Sequence, residues 1–183
     1  MVITFLCEPR SGSTNFTNWF YGKKNISVLY LPSDNKSKWY LKETPKNYKY
    51  NTEFLIVKED YYPEKNFDEL IEISTKTVLL YRENISEQIE SWINSKKTNN
   101  WDGKWVFKSY DDINEEKYFK YLKSEFYKNF LSKDYFKISY EELYYKNGFD
   151  SVLKYLKIPS LENAGWPYGE KYRLDIKDEK KLI

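Results

Sequence analysis

Val2-Ile-Thr-Phe-Leu-Cys7, followed at once by Glu8-Pro-Arg-Ser-Gly-Ser-Thr14, is the stretch whose reading decides the fold. Its first six residues are apolar or β-prone without polar alternation, the pattern of a short strand buried on both faces. Pro9 and Gly12 end the run. From residue 14 to about 21, Phe16, Trp19 and Phe20 then recur at spacings of three and four, which predicts a helix with one apolar face. A buried strand, a glycine-bearing turn and a helix in succession open a βαβ unit.

Outward from that unit the same alternation continues. Residues 26–31 are β-prone, 39–41 are short and ambiguous before Pro45, and Phe54-Leu-Ile-Val57 is an apolar strand leading into Lys58. Residues 67–73 carry a helical apolar face. Thr77-Val-Leu-Leu-Tyr81 is the clearest central strand, with a helix over 85–93 behind it. A loop over 99–112 contains Trp101 and Trp105. Beyond it come a long Tyr/Phe-rich helix over 115–130, a strand over 135–140, a helix over 149–156 and an irregular tail from Pro159. There is no internal repeat and no Pro/Gly/Ser linker, so residues 1–183 read as a single domain. The expected architecture is a three-layer α/β fold around a central, mainly parallel sheet. Such sheets take ligands at the carboxyl ends of their strands, which singles out Glu8–Thr14, Lys58–Asp60 and Arg82–Ser91.

Composition excludes several chemistries. The 183 residues include no histidine, so Ser-His-Asp and Cys-His triads, a histidine base and imidazole-ligated zinc are all ruled out. The single cysteine, Cys7, can form neither an intramolecular disulfide nor a thiolate cluster. Lys+Arg of 30 against Asp+Glu of 28 leaves a net charge of +2, too even a balance to demand nucleic acid as partner. No apolar stretch approaches the roughly 20 residues of a membrane span, and residues 2–7 lack the basic flank of a signal peptide. A cytoplasmic protein is expected, with no membrane partner, and oligomeric state is not legible. Sequons begin at Asn15, Asn25, Asn35 and Asn84, as chance allows in so Asn-rich a chain.

Pro9-Arg-Ser-Gly-Ser-Thr14 has the makings of an anion cradle. Gly12 permits close backbone approach, the amides entering the helix favour negative charge, and Ser11, Ser13 and Thr14 supply hydroxyls. Arg10 adds a planar fork suited to phosphate or sulfate. A merely capped turn is the competing reading. A Walker A loop would instead need Gly-Lys-Ser/Thr at its end, and the central strand Thr77–Tyr81 runs into Arg82 where an acidic residue would hold Mg²⁺. The second element is Leu79-Leu-Tyr-Arg-Glu-Asn-Ile-Ser-Glu-Gln-Ile-Glu-Ser-Trp92, with Arg82 at a strand end and Ser91 about two turns into the next helix. The chain has 27 lysines but only three arginines, Arg10, Arg82 and Arg173. Two of them fall on these two motifs, where a bidentate donor differs from a lysine.

Taken together, Pro-Arg-Ser-Gly-Ser-Thr after the first strand and Leu-Tyr-Arg-Glu-Asn…Gln…Ser at a later strand–helix junction resemble the PAPS-dependent sulfotransferase family (PAPS is 3′-phosphoadenosine-5′-phosphosulfate). The resemblance implies a P-loop-like fold in which Arg10, Ser11, Gly12, Ser13 and Thr14 cradle the 5′-phosphosulfate and Arg82 with Ser91 holds the 3′-phosphate. Phe54-Leu-Ile-Val-Lys58 matches the family's strand ending in Lys. Ser139-Tyr-Glu-Glu-Leu143 and Leu156-Lys-Ile-Pro159 match its late strand–helix unit. The implied activity is metal-independent, in-line transfer of a sulfuryl group from PAPS, leaving PAP, to a hydroxyl or amine. The acceptor is a small molecule, glycan or peptide. Lys58 would stabilise the leaving phosphate. Where many relatives carry a His base this chain has Asp60, so a carboxylate is the expected base: Asp60 first, Glu59 second, and third Glu43 in Leu41-Lys-Glu-Thr-Pro45.

Departures from the family accompany the match. The position of its adenine-stacking Trp holds Asn15, with Trp19 one turn later either a substitute or core. Its C-terminal Arg-Lys-Gly segment is absent, with Arg173 as a stand-in. Trp101 and Trp105 suit either an acceptor wall or the core. Glycans at Asn15 or Asn84 would obstruct the site, which favours the cytoplasmic expectation. Two other classes compete: a relative that binds PAPS or a polyanion without turnover, and a P-loop nucleotide kinase or hydrolase using ATP and Mg²⁺.

Overall fold

A computed structural model of the chain describes residues 1–30, 51–63, 65–98, 114–146 and 148–161. Five strands form one sheet: β1 Val2–Cys7, β2 Ile26–Tyr30, β3 Phe54–Asp60, β4 Lys76–Tyr81 and β5 Phe136–Ser139. Their order is β2-β3-β1-β4-β5 and every pairing is parallel. The expected α/β class with a parallel sheet is what the described residues adopt. The helices are α1 Ser13–Asn18, α2 Asp68–Ile73, α3 Ile85–Thr98, α4 Glu115–Phe126, α5 Tyr140–Tyr145 and α6 Gly148–Leu156.

The strands are apolar on both sides because helices cover both sides. Ile3, Phe5 and Cys7 of β1 point into a cluster built by Phe16, Trp19 and Phe20 on or next to α1 and by Phe149, Val152 and Leu156 of α6. Leu6, Leu55, Val57 and Leu79 point the other way, against Phe67, Leu70 of α2 and Leu122, Phe126 of α4. Trp19, at 9% exposure, packs edge-on to Phe20 and Phe149 with centroids 4.9 and 4.5 Å away, so it belongs to the core. Among the described residues no helix is long and apolar enough to cross a membrane.

The helix after β4 runs on to Thr98 and α1 ends at Asn18, and three further boundaries differ from the sequence expectation for a local reason. β3 does not stop at Val57: its ladder with β1 continues through Phe5↔Lys58, Leu6↔Glu59 and Cys7↔Asp60, so these charged residues are strand, not loop. The long Tyr/Phe-rich helix passes at Tyr127 into a π-helical turn, Tyr127–Leu131. Tyr140, expected to end β5, instead begins α5. Ser139 caps that helix in a reciprocal box, its Oγ accepting from Glu142 N at 3.0 Å while its own N donates to Glu142 Oε2 at 3.0 Å. The segments 39–41 and 99–112 with Trp101 and Trp105, as well as Asn35, Glu43 and Arg173, lie outside the described residues.

Candidate functional site

The strand order places the site. From β1 the chain turns toward the β2 edge, whereas from β4 it turns toward the β5 edge, so the loops after these two neighbours diverge. The crevice between their carboxyl ends is the switch point at which sheets of this kind take ligands. Arg10–Thr14 stands on one side of it and Arg82 on the other, with the end of β3 beside β1.

The loop after β1 is held in an unusual backbone shape. Arg10 has φ 62° and Gly12 φ 74°, both left-handed. That is costly for an arginine and free for a glycine. Gly12 is required twice over, since an added Cβ would stand 2.8 Å from the Tyr140 ring and 2.9 Å from that of Tyr144. Tyr144 Oη donates to the Gly12 carbonyl at 2.8 Å, and Phe16 N closes the first turn of α1 on the same oxygen at 3.2 Å. Ser11 is fully buried and its hydroxyl has no hydrogen-bond partner among the described residues. The Ser13 hydroxyl contacts the Cys7 thiol, whose pKa burial pushes well up; Thr14 is half-buried at the rim and Asn15 is exposed.

The two arginine motifs meet here. Arg10 donates to Ser91 Oγ from Nη2 at 3.0 Å and from Nε at 3.2 Å. Arg82 Nη1 reaches the Arg10 carbonyl at 3.4 Å, Nη2 donates to Glu87 Oε2 at 2.7 Å, and the guanidinium lies 4.4 Å from the centroid of Tyr140. Its buried Nε has no hydrogen-bond partner among the described residues, the Glu141 Oε1 being 4.0 Å away. The Glu141 carboxylate instead accepts from Glu83 N at 3.0 Å and Asn84 N at 3.1 Å, fixing the turn after β4. Arg82 thus pairs with Glu87, yet it is a buried residue of the crevice, not a surface one.

At the end of β3 the alternation of the strand separates the three candidate residues. Lys58 and Asp60 lie on the α1 side, where Lys58 Nζ donates to Asp60 Oδ2 at 2.6 Å. Burial disfavours the Lys58 ammonium, but the adjacent Asp60 charge leads the effects that outweigh it and hold its pKa above the ordinary lysine value. Glu59 faces the α2/α4 side with no exposure. Its Oε1 accepts from Lys65 Nζ at 2.9 Å and from Asp60 N at 3.0 Å, and burial pushes its pKa up to about 8. The sheet therefore separates Glu59 from Lys58, which leaves Asp60 as the described candidate carboxylate on the Lys58 face.

Several residues of the site gain their roles only in three dimensions. Glu8 and Gln88 lie within the stretches singled out at the strand ends, and Tyr140 and Glu141 within the Ser139–Leu143 match, but their contacts are not written in those stretches; Lys123 and Tyr144 escape sequence reasoning altogether. The cradle suits a phosphate-bearing ligand on its own chemistry: the Ser11 hydroxyl and Arg82 Nε are buried without a hydrogen-bond partner among the described residues, and Arg10 holds a strained backbone. No family model and no curated protein matches this chain.

Proposed function

We propose that this protein is a PAPS-dependent sulfotransferase with a P-loop-like fold, acting without a metal on a hydroxyl or amine acceptor. The observation that carries the reading is the convergence of Arg10–Thr14, Arg82 with Ser91, and Lys58 on the carboxyl ends of three adjacent strands. Arg10, the Ser11 and Ser13 hydroxyls and Thr14 bind the 5′ side of the nucleotide, and Gly12 lets the backbone approach it. Arg82 binds the 3′-phosphate with Ser91. Its Glu87 partner keeps 31% exposure, so an incoming phosphate can exchange with that carboxylate. PAPS supplies the activated sulfuryl group, whose S–O bond to phosphate breaks as the bond to the acceptor oxygen or nitrogen forms. Lys58 meets the negative charge left on the phosphate oxygen, where a buried cation acts most strongly. Asp60 receives the proton released by the acceptor.

The same Lys58–Asp60 pair supports the second reading, binding without turnover, because each group neutralises the other at 2.6 Å. Thermal shift with PAP, with ATP–Mg²⁺ and with heparin separates the ligand classes, and labelled PAPS offered to glycans, phenols and peptides detects transfer. Stabilisation by PAP is expected. Stabilisation by ATP–Mg²⁺ alone would sink the sulfotransferase reading. Lys58→Ala is expected to abolish transfer while leaving PAP binding within a few-fold; transfer at the wild-type rate would remove Lys58 from the chemistry.

A further inference from the structure

Glu8 follows directly on β1 and is almost fully buried, at 2% exposure, although nothing in the proposed chemistry uses it. Its Oε2 accepts from Arg82 N at 3.0 Å, from Lys123 Nζ at 3.1 Å and from Gln88 Nε2 at 3.4 Å. Lys123, reaching in from α4, also donates to the Arg82 carbonyl. The Arg82 peptide is thereby gripped at both its N–H and its C=O by one ion pair. Gln88 Nε2 extends the same contact to the Pro9 carbonyl at 2.7 Å, at the root of the anion loop. A buried carboxylate with a lysine partner is costly to desolvate and is retained where its hydrogen bonds are met. Here they are met by the groups that set the gap between the two arginine motifs.

Resting on the sulfotransferase reading, we infer that Glu8 and Lys123 form a positioning pair that holds Arg82 at the spacing from the Arg10–Thr14 loop that one nucleotide's 5′ and 3′ phosphates require. The pair touches no ligand. It acts through the backbone of Arg82, while the loop keeps its own internal bond from Ser11 N to Glu8 O at 3.3 Å, which belongs to the main chain and survives a side-chain change. The consequence is a split: losing the pair weakens recognition of the 3′-phosphate and spares that of the 5′-phosphate.

Calorimetric titration of PAP and AMP, which differ only in the 3′-phosphate, into wild type, Glu8→Gln, Lys123→Met and the double variant tests this. Lys120→Met, an exposed lysine on the same helix, is the control. The Kd for PAP is expected to rise about tenfold in either single variant, the scale of one misplaced charge-assisted hydrogen bond, with AMP affinity held within twofold. The double variant should lose no more than either single one, because the two residues act as a unit. An equal loss for PAP and AMP would assign the pair a merely structural role and overturn the inference, as would unchanged PAP affinity in both single variants. Wild type that binds no PAP would instead overturn the sulfotransferase reading, and this inference with it. Should Glu8→Gln fail to fold, Lys123→Met, which leaves the carboxylate with its Arg82 and Gln88 donors, decides alone.

Discussion

At the residue scale the site turns on Gly12, whose left-handed φ and whose approach to two tyrosine rings leave no room for a side chain. Gly12→Ala should destabilise the fold by about 2 kcal/mol, combining strain at positive φ with overpacking against Tyr140 and Tyr144. Denaturant unfolding measures it, and a loss under ~0.5 kcal/mol would mean that the tyrosines give way. Arg10 bears the opposite condition: it holds positive φ without the freedom of glycine, and its guanidinium is anchored by Ser91. The strained arginine and the Ser11 hydroxyl, which has no hydrogen-bond partner among the described residues, sit in one loop, and backbone strain of this kind clusters at ligand sites. The presence of the loop was legible in Pro9-Arg-Ser-Gly-Ser-Thr14. Its contact with Ser91, 81 residues away, was not, because no local pattern encodes a contact of that separation.

Elements are decided by caps and ladders, which here lengthen β3 and shorten β5 relative to their sequence patterns. β3 continues through Lys58-Glu59-Asp60 because a parallel ladder with β1 supplies hydrogen bonds that composition cannot announce. The alternation of that strand then sends Lys58 and Asp60 to one face and Glu59 to the other. α5 begins at Tyr140 because the Ser139–Glu142 box satisfies its first amides. Ser139→Ala should cost about 1 kcal/mol, seen as a lowered denaturation midpoint with unchanged slope. It should also loosen Glu141, which fixes the turn after β4. A midpoint equal to wild type would show that packing alone holds the helix in place.

For the molecule as a whole, the buried Glu59–Lys65 pair links stability to pH. With its pKa raised to about 8 in the folded state, Glu59 retains a proton that the unfolded chain, at an ordinary glutamate value of 4.5, has already released. Over that interval the folded state binds more protons, so unfolding free energy falls as pH rises from about 4.5 to about 8. Unfolding midpoints at pH 5, 6.5 and 8 should decline in wild type and flatten in Glu59→Gln. An equal decline in both proteins would place the pH dependence on another group. Because Glu59 lies across the sheet from Lys58, this titration is expected to leave the crevice between β1 and β4 in place.

By itself the sequence determined the alternation of strand and helix, the two arginine-bearing junctions and the exclusion of histidine and disulfide chemistry, because these depend on local periodicity and on residue counts. Only the tertiary structure decided that β1 and β4 are neighbours, that Arg10 meets Ser91, that Glu8 and Lys123 grip the Arg82 peptide, and that Glu59 turns away from Lys58. Those outcomes follow from strand order and from the side-to-side alternation of a strand whose true end is set by pairing. Both are properties of the assembled sheet, where residues far apart in the chain share a hydrogen-bond ladder.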